Sequence, residues 1–77
     1  MEIEILFFSY LLDYSPTGEK KAALSLEEGA TLKDLWAKLE IPPKIEKICL
    51  VNGAYHGEEK VLHHGDVVSL YPMIDGG

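Results

Sequence analysis

Apolar positions fall into short alternating runs near both ends of the chain and one helical stripe between them. Ile3 to Tyr10 is rich in Ile and Phe and alternates at its start, which predicts a strand. Parity puts Ile3, Ile5 and Phe7 on one face, and Glu2, Glu4, Leu6, Phe8 and Tyr10 on the other. The two glutamates mark the second face as the solvent side, so Leu6 and Phe8 are expected to be exposed apolar side chains. Asp13 to Glu19, with Ser15-Pro16-Thr17-Gly18 inside it, reads as a turn or loop. Lys20 to Leu26 alternates again and returns as a second strand, which closes a hairpin.

Glu27-Glu28-Gly29-Ala30 breaks that strand. Thr31 can cap a helix through its side-chain oxygen, and Asp34 suits the positive end of the helix dipole. Leu32, Leu35, Trp36 and Leu39 follow at i, i+3, i+4 and i+7, one apolar stripe expected to face the core. Ile41-Pro42-Pro43 is expected to end the helix, because neither proline can donate to its ladder. Ile48 to Val51 is a short apolar strand, Asn52-Gly53 a strong hairpin signal, and Ala54-Tyr55 a short return. Gly57 to Lys60 is polar loop, Val61 and Leu62 pack again, and His64-Gly65-Asp66 is a turn. Val67 to Tyr71 is the last strand. The chain thus divides into a domain at 1–71 and a free tail at 72–77. One helix with one apolar stripe needs one sheet to cover it, which makes an α+β two-layer domain. If the first and last strands pair in parallel at the centre of a mixed sheet, the arrangement is a β-grasp.

At 77 residues there is room for one core and little for an enclosed active site. Apolar content of 47% is too high for disorder, and no apolar run approaches the ~18 residues of a membrane span. Met1-Glu2-Ile3-Glu4 lacks the basic region of a secretory signal, and the single cysteine, Cys49, has no disulfide partner in the chain. These features lead to the expectation of a cytoplasmic protein. The net charge of −6 argues against binding nucleic acid phosphates or anionic lipid heads. With no arginine in the sequence, the bidentate phosphate clamp is missing as well. The favoured partner is a protein with a basic face.

The sequence closes on Gly76-Gly77. At average usage, two terminal glycines occur by chance in roughly one chain in 200. Their position directly after a β-grasp pattern adds weight. Leu6-Phe7-Phe8, Glu28-Gly29-Ala30-Thr31-Leu32, Val51-Asn52-Gly53, His64-Gly65-Asp66-Val67-Val68 and Tyr71-Pro72-Met73-Ile74-Asp75-Gly76-Gly77 lie in an order that matters. Together they resemble the family of the molybdopterin synthase small subunit and the thiamine sulfur carrier (MoaD/ThiS-like), over the whole chain. The tail proline and the chain length favour the molybdopterin branch. Two positions depart from the pattern. Asp75 stands where the family usually has a small uncharged residue, and Met73 where a second proline is common.

The resemblance implies a ubiquitin-like sulfur carrier, not an enzyme in its own right. Its working group would be the Gly77 carboxylate, with Gly76 beside it. A C-terminal carboxylate, with a pKa near ~3.5, is ionised at neutral pH. An adenylating partner would consume ATP to activate it, and the mixed anhydride would then be open to a sulfur nucleophile. Glycine, lacking a Cβ, suits a narrow channel. The implied product is a thiocarboxylate that donates sulfur to a pterin precursor. The implied partners are a ubiquitin-activating-like adenylating enzyme, a sulfur donor protein and the large subunit of molybdopterin synthase. Leu6, Phe8 and Tyr71, with Pro72, Met73, Ile74 and Asp75 of the tail, are the expected partner-contacting residues. A thiamine-type carrier, a protein modifier conjugated through Gly77, and an interaction module with an inactive tail are the competing readings.

No other residues make a convincing site. His56, His63 and His64 lie close in sequence but lack the four-ligand spacing of a closed metal site, so no metal and no bound cofactor are expected. Cys49 lies in the apolar run Ile48-Cys49-Leu50-Val51 and is expected to be buried and inert. Trp36, on the helix stripe, is expected in the core.

Overall fold

The computed structural model describes residues 1–73. The expectations for Ile74, Asp75, Gly76 and Gly77 therefore lie outside the described residues. Strand β1 (Glu2–Phe7) pairs antiparallel with β2 (Lys21–Ser25) to form the first hairpin. Helix α1 (Leu32–Lys38) crosses to β3 (Lys47–Val51), which turns into the short β4 (Ala54–Tyr55). The last strand, β5 (Val67–Pro72), lies between β1, in parallel, and β3, antiparallel. The sheet order is β2-β1-β5-β3-β4. This mixed sheet over one main helix is the β-grasp expected from the sequence.

Parity in β1 holds as predicted. Ile3, Ile5 and Phe7 are all at most 1% exposed, while Glu2, Glu4 and Leu6 alternate outward. Register carries this alternation across the sheet. Ala22, Ile5, Val68 and Val51 stand side by side on four strands, and Phe7, Leu70 and Cys49 form the next row. Leu32, Leu35 and Leu39 of the helix stripe join these rows in one core, with Leu11, Leu26, Ile41 and Leu62. Burying a side chain of this size contributes roughly 1.5–3 kcal/mol.

Four local expectations need correction. The first strand stops at Phe7, not Tyr10, because Ser9 takes a left-handed φ of +56° and the chain enters a 3-10 helix at Ser9–Tyr14. That helix buries Leu11 completely, which offsets the strain of a non-glycine residue at positive φ. The helix α1 is closed before the prolines. Glu40 adopts φ +59°, its N–H bonds Ala37 O, and Ile41 N–H reaches Trp36 O, both at 3.0 Å. These are the two bonds of a Schellman motif, formed here without glycine. Trp36 is half-buried at the edge of the core, with the Lys47 ammonium 4.1 Å from its ring centroid. Val61 is 43% exposed and makes only an isolated bridge to Thr31, whereas Leu62 is buried as expected.

The helix start matches the sequence reading. Thr31 Oγ1 accepts from Asp34 N–H, and Asp34 Oδ2 accepts from Thr31 N–H at 2.9 Å, a full capping box. The β3–β4 turn also matches, with Asn52 and Gly53 both at positive φ as a two-residue primed turn demands.

Asn52 and Asp66 tie this turn to the one before β5. The Asn52 amide donates to Asp66 Oδ1 at 2.9 Å, its oxygen accepts from Val67 N–H at 2.9 Å, and His63 N–H donates to Asp66 Oδ2 at 2.8 Å. Partial desolvation pushes the Asp66 carboxyl pKa up, but the His63 N–H and the Asn52 amide outweigh it, and the net shift is downward. A depressed folded pKa means stabilisation that is complete above the unfolded value of ~3.9 and lost as pH falls through the folded one. Asp66→Ala should cost about 1 kcal/mol at pH 7, since water still reaches the carboxylate. That corresponds to a melting temperature lower by about 4–8 °C. Melting curves on both proteins from pH 7 to pH 2 should show the gap closing in acid. A gap that persists at pH 2 means the carboxylate bonds are not its source.

Candidate functional site

Three central strands present an apolar open face, opposite the helix. Core residues Val68 and Leu70 alternate in β5 with Val67, Ser69 and Tyr71, which point to that face. In β3, buried Cys49 and Val51 leave Ile48 and Leu50 on it. In register, Leu6, Ser69 and Leu50 form one row, and Ile48 lies opposite Tyr71. Phe8, just past β1, stacks on Tyr71 with ring centroids 4.4 Å apart and planes 6° off parallel. The Lys20 ammonium stands 4.3 Å from the Phe8 ring centroid. All the apolar members of this face are half-buried, covered partly by one another and not by a further layer.

The structure thus brings Leu6, Phe8 and Tyr71 together on one surface, beside the end of the last strand. Pro72 pairs with Lys47 as the final register of β5, one residue past the expected strand end. Met73 is 45% exposed, and its N–H donates to Tyr10 Oη at 3.3 Å. Ile48, Leu50, Val67 and Tyr10 were not singled out as site residues in the sequence reading. The first two were within reach of it: once Cys49 and Val51 are assigned inward, parity sends Ile48 and Leu50 outward.

Cys49 is 2% exposed, and burial pushes its thiol pKa up to about 11. The Trp36 indole N–H and the Lys47 charge oppose that rise without overcoming it. The same indole N–H is shielded from water and has no hydrogen-bond partner among the described residues. A thiol in this state is a poor nucleophile. Of the histidines, His64 accepts the Glu2 N–H on Nδ1 at 3.0 Å. Among the described residues no group of three or more His, Cys, Asp or Glu is placed to hold a metal ion. No helix among them is long and apolar enough to cross a membrane.

A mixed five-strand sheet over one helix, with the C-terminal strand at its centre, defines the ubiquitin-like β-grasp class to which small sulfur carriers belong. Within that class the chain is a member of the ThiS family, whose model matches residues 5–77. Among solved structures, the HVO 2177 protein of Haloferax volcanii is similar at 28% identity and a TM-score of 0.82, over 100% of this chain and 87% of that one. A Pyrococcus furiosus protein described as molybdopterin converting factor subunit 1 has 22% identity and a TM-score of 0.79, over 95% and 98% of the two chains, and speaks for the fold alone. A complex of subunits 1 and 2 of the molybdopterin-converting factor from Helicobacter pylori matches at 25% identity and a TM-score of 0.64, over all of both chains. No curated protein matches the sequence.

Proposed function

We propose that this chain carries sulfur as a thiocarboxylate on Gly77 and donates it in molybdopterin synthesis. The observation that carries the reading is the family match, which runs through the diglycine to Gly77. The Helicobacter pylori complex, in which a similar chain is assembled with a second subunit, supports a large-subunit partner. In the first step a Gly77 carboxylate oxygen attacks the α-phosphorus of ATP on an adenylating enzyme, and pyrophosphate leaves. The terminal sulfur of a donor protein's persulfide then attacks the acyl carbon, and AMP leaves. A second thiol cleaves the S–S bond of the resulting acyl disulfide, which frees the Gly77 thiocarboxylate and leaves a disulfide on the donor side. The chemistry resides in the partners. This chain supplies the carboxylate, the route by which it reaches them and the surface on which they dock.

The open face suits that last task. Its apolar centre is Leu6, Phe8, Ile48, Leu50 and Tyr71, with Glu2 and Glu4 toward one end. An apolar core with a polar rim is the anatomy of a protein interface. A partner that takes up the chain end after Met73 meets this face first. Asp75 brings a second negative charge close to the reacting carboxylate, so the activating site must offer it a cation.

Intact mass of the protein from its native cells tests the proposal. The expected species has one sulfur in place of one oxygen, localised to Gly77 by fragmentation. Conjugates to lysines of other proteins would make the chain a modifier instead. A carboxylate that is always free would make it an interaction module, and either result overturns the carrier reading.

A further inference from the structure

The end of β5 has a support that the sheet itself does not provide. On the β1 side, pairing stops at Phe7↔Leu70, with one more bond from Phe8 N–H to Leu70 O. Ser9 then turns the chain away at φ +56°, and the 3-10 helix takes the place of the neighbouring strand. On the β3 side, pairing ends at Lys47↔Pro72. Proline has no N–H, so the next backbone donor after Tyr71 is Met73. That donor goes to Tyr10 Oη at 3.3 Å, and the same hydroxyl donates to Glu46 O at 2.7 Å.

One phenol therefore joins three segments separated by 36 and 63 residues: the 3-10 helix, the loop before β3 and the first residue after β5. Tyr10 is 43% exposed, so burial of its ring is an incomplete account of the residue. Its hydroxyl fits both contacts by chemistry. A hydroxyl donates and accepts at once, and here it donates to a carbonyl and accepts from an amide.

We propose that the Tyr10 hydroxyl is a positioning group that fixes the exit of the C-terminal segment from the sheet. Four residues follow Met73, the last of them Gly77, a span of at most about 14 Å of chain. Over so short a span, the direction set at Met73 decides which part of a docked partner the carboxylate meets. Holding that direction in the free carrier removes an ordering cost that would otherwise fall on binding. The role rests on the carrier function proposed above, but the contact itself does not.

Tyr10→Phe removes the hydroxyl and keeps the ring. Amide exchange followed by NMR should show the Met73 N–H losing about fivefold in protection, while the Leu70 N–H keeps its own. In ATP–pyrophosphate exchange with the cognate adenylating enzyme, KM for the carrier should rise about fivefold, with kcat changed less than twofold. A change confined to folding would leave KM unmoved at temperatures where the variant is folded. Unchanged Met73 protection in a folded Tyr10→Phe, or an unprotected Met73 amide in the parent protein, overturns the contact. Altered protection with an unchanged KM overturns the positioning role. A parent protein that no adenylating enzyme activates sinks the carrier reading and the positioning role together, and leaves the Met73 exchange result standing.

Discussion

A chain shortened to Gly76 is expected to keep its melting temperature and to lose ATP-dependent adenylation altogether. The stability half follows from the core, whose buried members run from Ile3 to Leu70. Terminal residues beyond a core contribute few buried contacts. The activity half follows from geometry. Removing one residue draws the carboxylate back by about 3.3–3.6 Å. Misplacing a reacting group by about 1 Å can already cost 100-fold in rate. Docking through the open face and the Tyr10 contact to Met73 would keep the shortened chain from sliding forward to compensate. Pyrophosphate exchange and thermal melting on the same preparation check both halves. Full adenylation of the shortened chain would mean that Gly77 is not the activated residue.

Two adjacent phenylalanines should fail in opposite ways. Phe7 is 1% exposed and packs beside Leu70 in the core row. Phe7→Ala should cost about 3–5 kcal/mol through lost transfer energy and the cavity left behind. Domains of this length have about 4–12 kcal/mol in total, so the variant should be marginally folded and melt far below the parent. Phe8 lies on the open face, where it stacks on Tyr71 and sits beneath the Lys20 ammonium. Losing those contacts in Phe8→Asp should cost about 1–2 kcal/mol, which the fold survives. Affinity for the large synthase subunit should fall at least about tenfold, because a charge then stands at the centre of the apolar contact. Titration calorimetry and melting curves on both variants separate the two cases. A folded Phe8→Asp with undiminished affinity would reject the open face as the docking surface, and an unperturbed Phe7→Ala would contradict its place in the core.

The sequence determined those features whose cause is local. Inward Ile3, Ile5 and Phe7 follow from the two-residue period of a strand and the outward glutamates. Thr31 and Asp34 announce the helix start because both partners of the capping box lie within one turn. Asn52-Gly53 announces its turn because few other pairs accept two positive φ angles. The order of these elements, with a diglycine at the end, was enough to point to the fold and the family.

The tertiary structure decided what depends on residues far apart in the chain. Ser9 ends β1 early because burying Leu11 under the sheet outweighs the propensity of Phe8 and Tyr10 for a longer strand. Trp36 keeps its place on the helix stripe but meets Lys47 at the rim, because the buried rows beneath the helix are filled by Leu32, Leu35 and Leu39. Ile48 joins Leu6, Phe8 and Tyr71 on one face only once β5 has settled between β1 and β3. The Tyr10 hydroxyl meets Glu46 and Met73 only after loops of 36 and 63 residues have closed. Periodicity reports which way a side chain points along its own strand. It carries no record of which strand will lie alongside, because that choice is made by register and packing across the whole core.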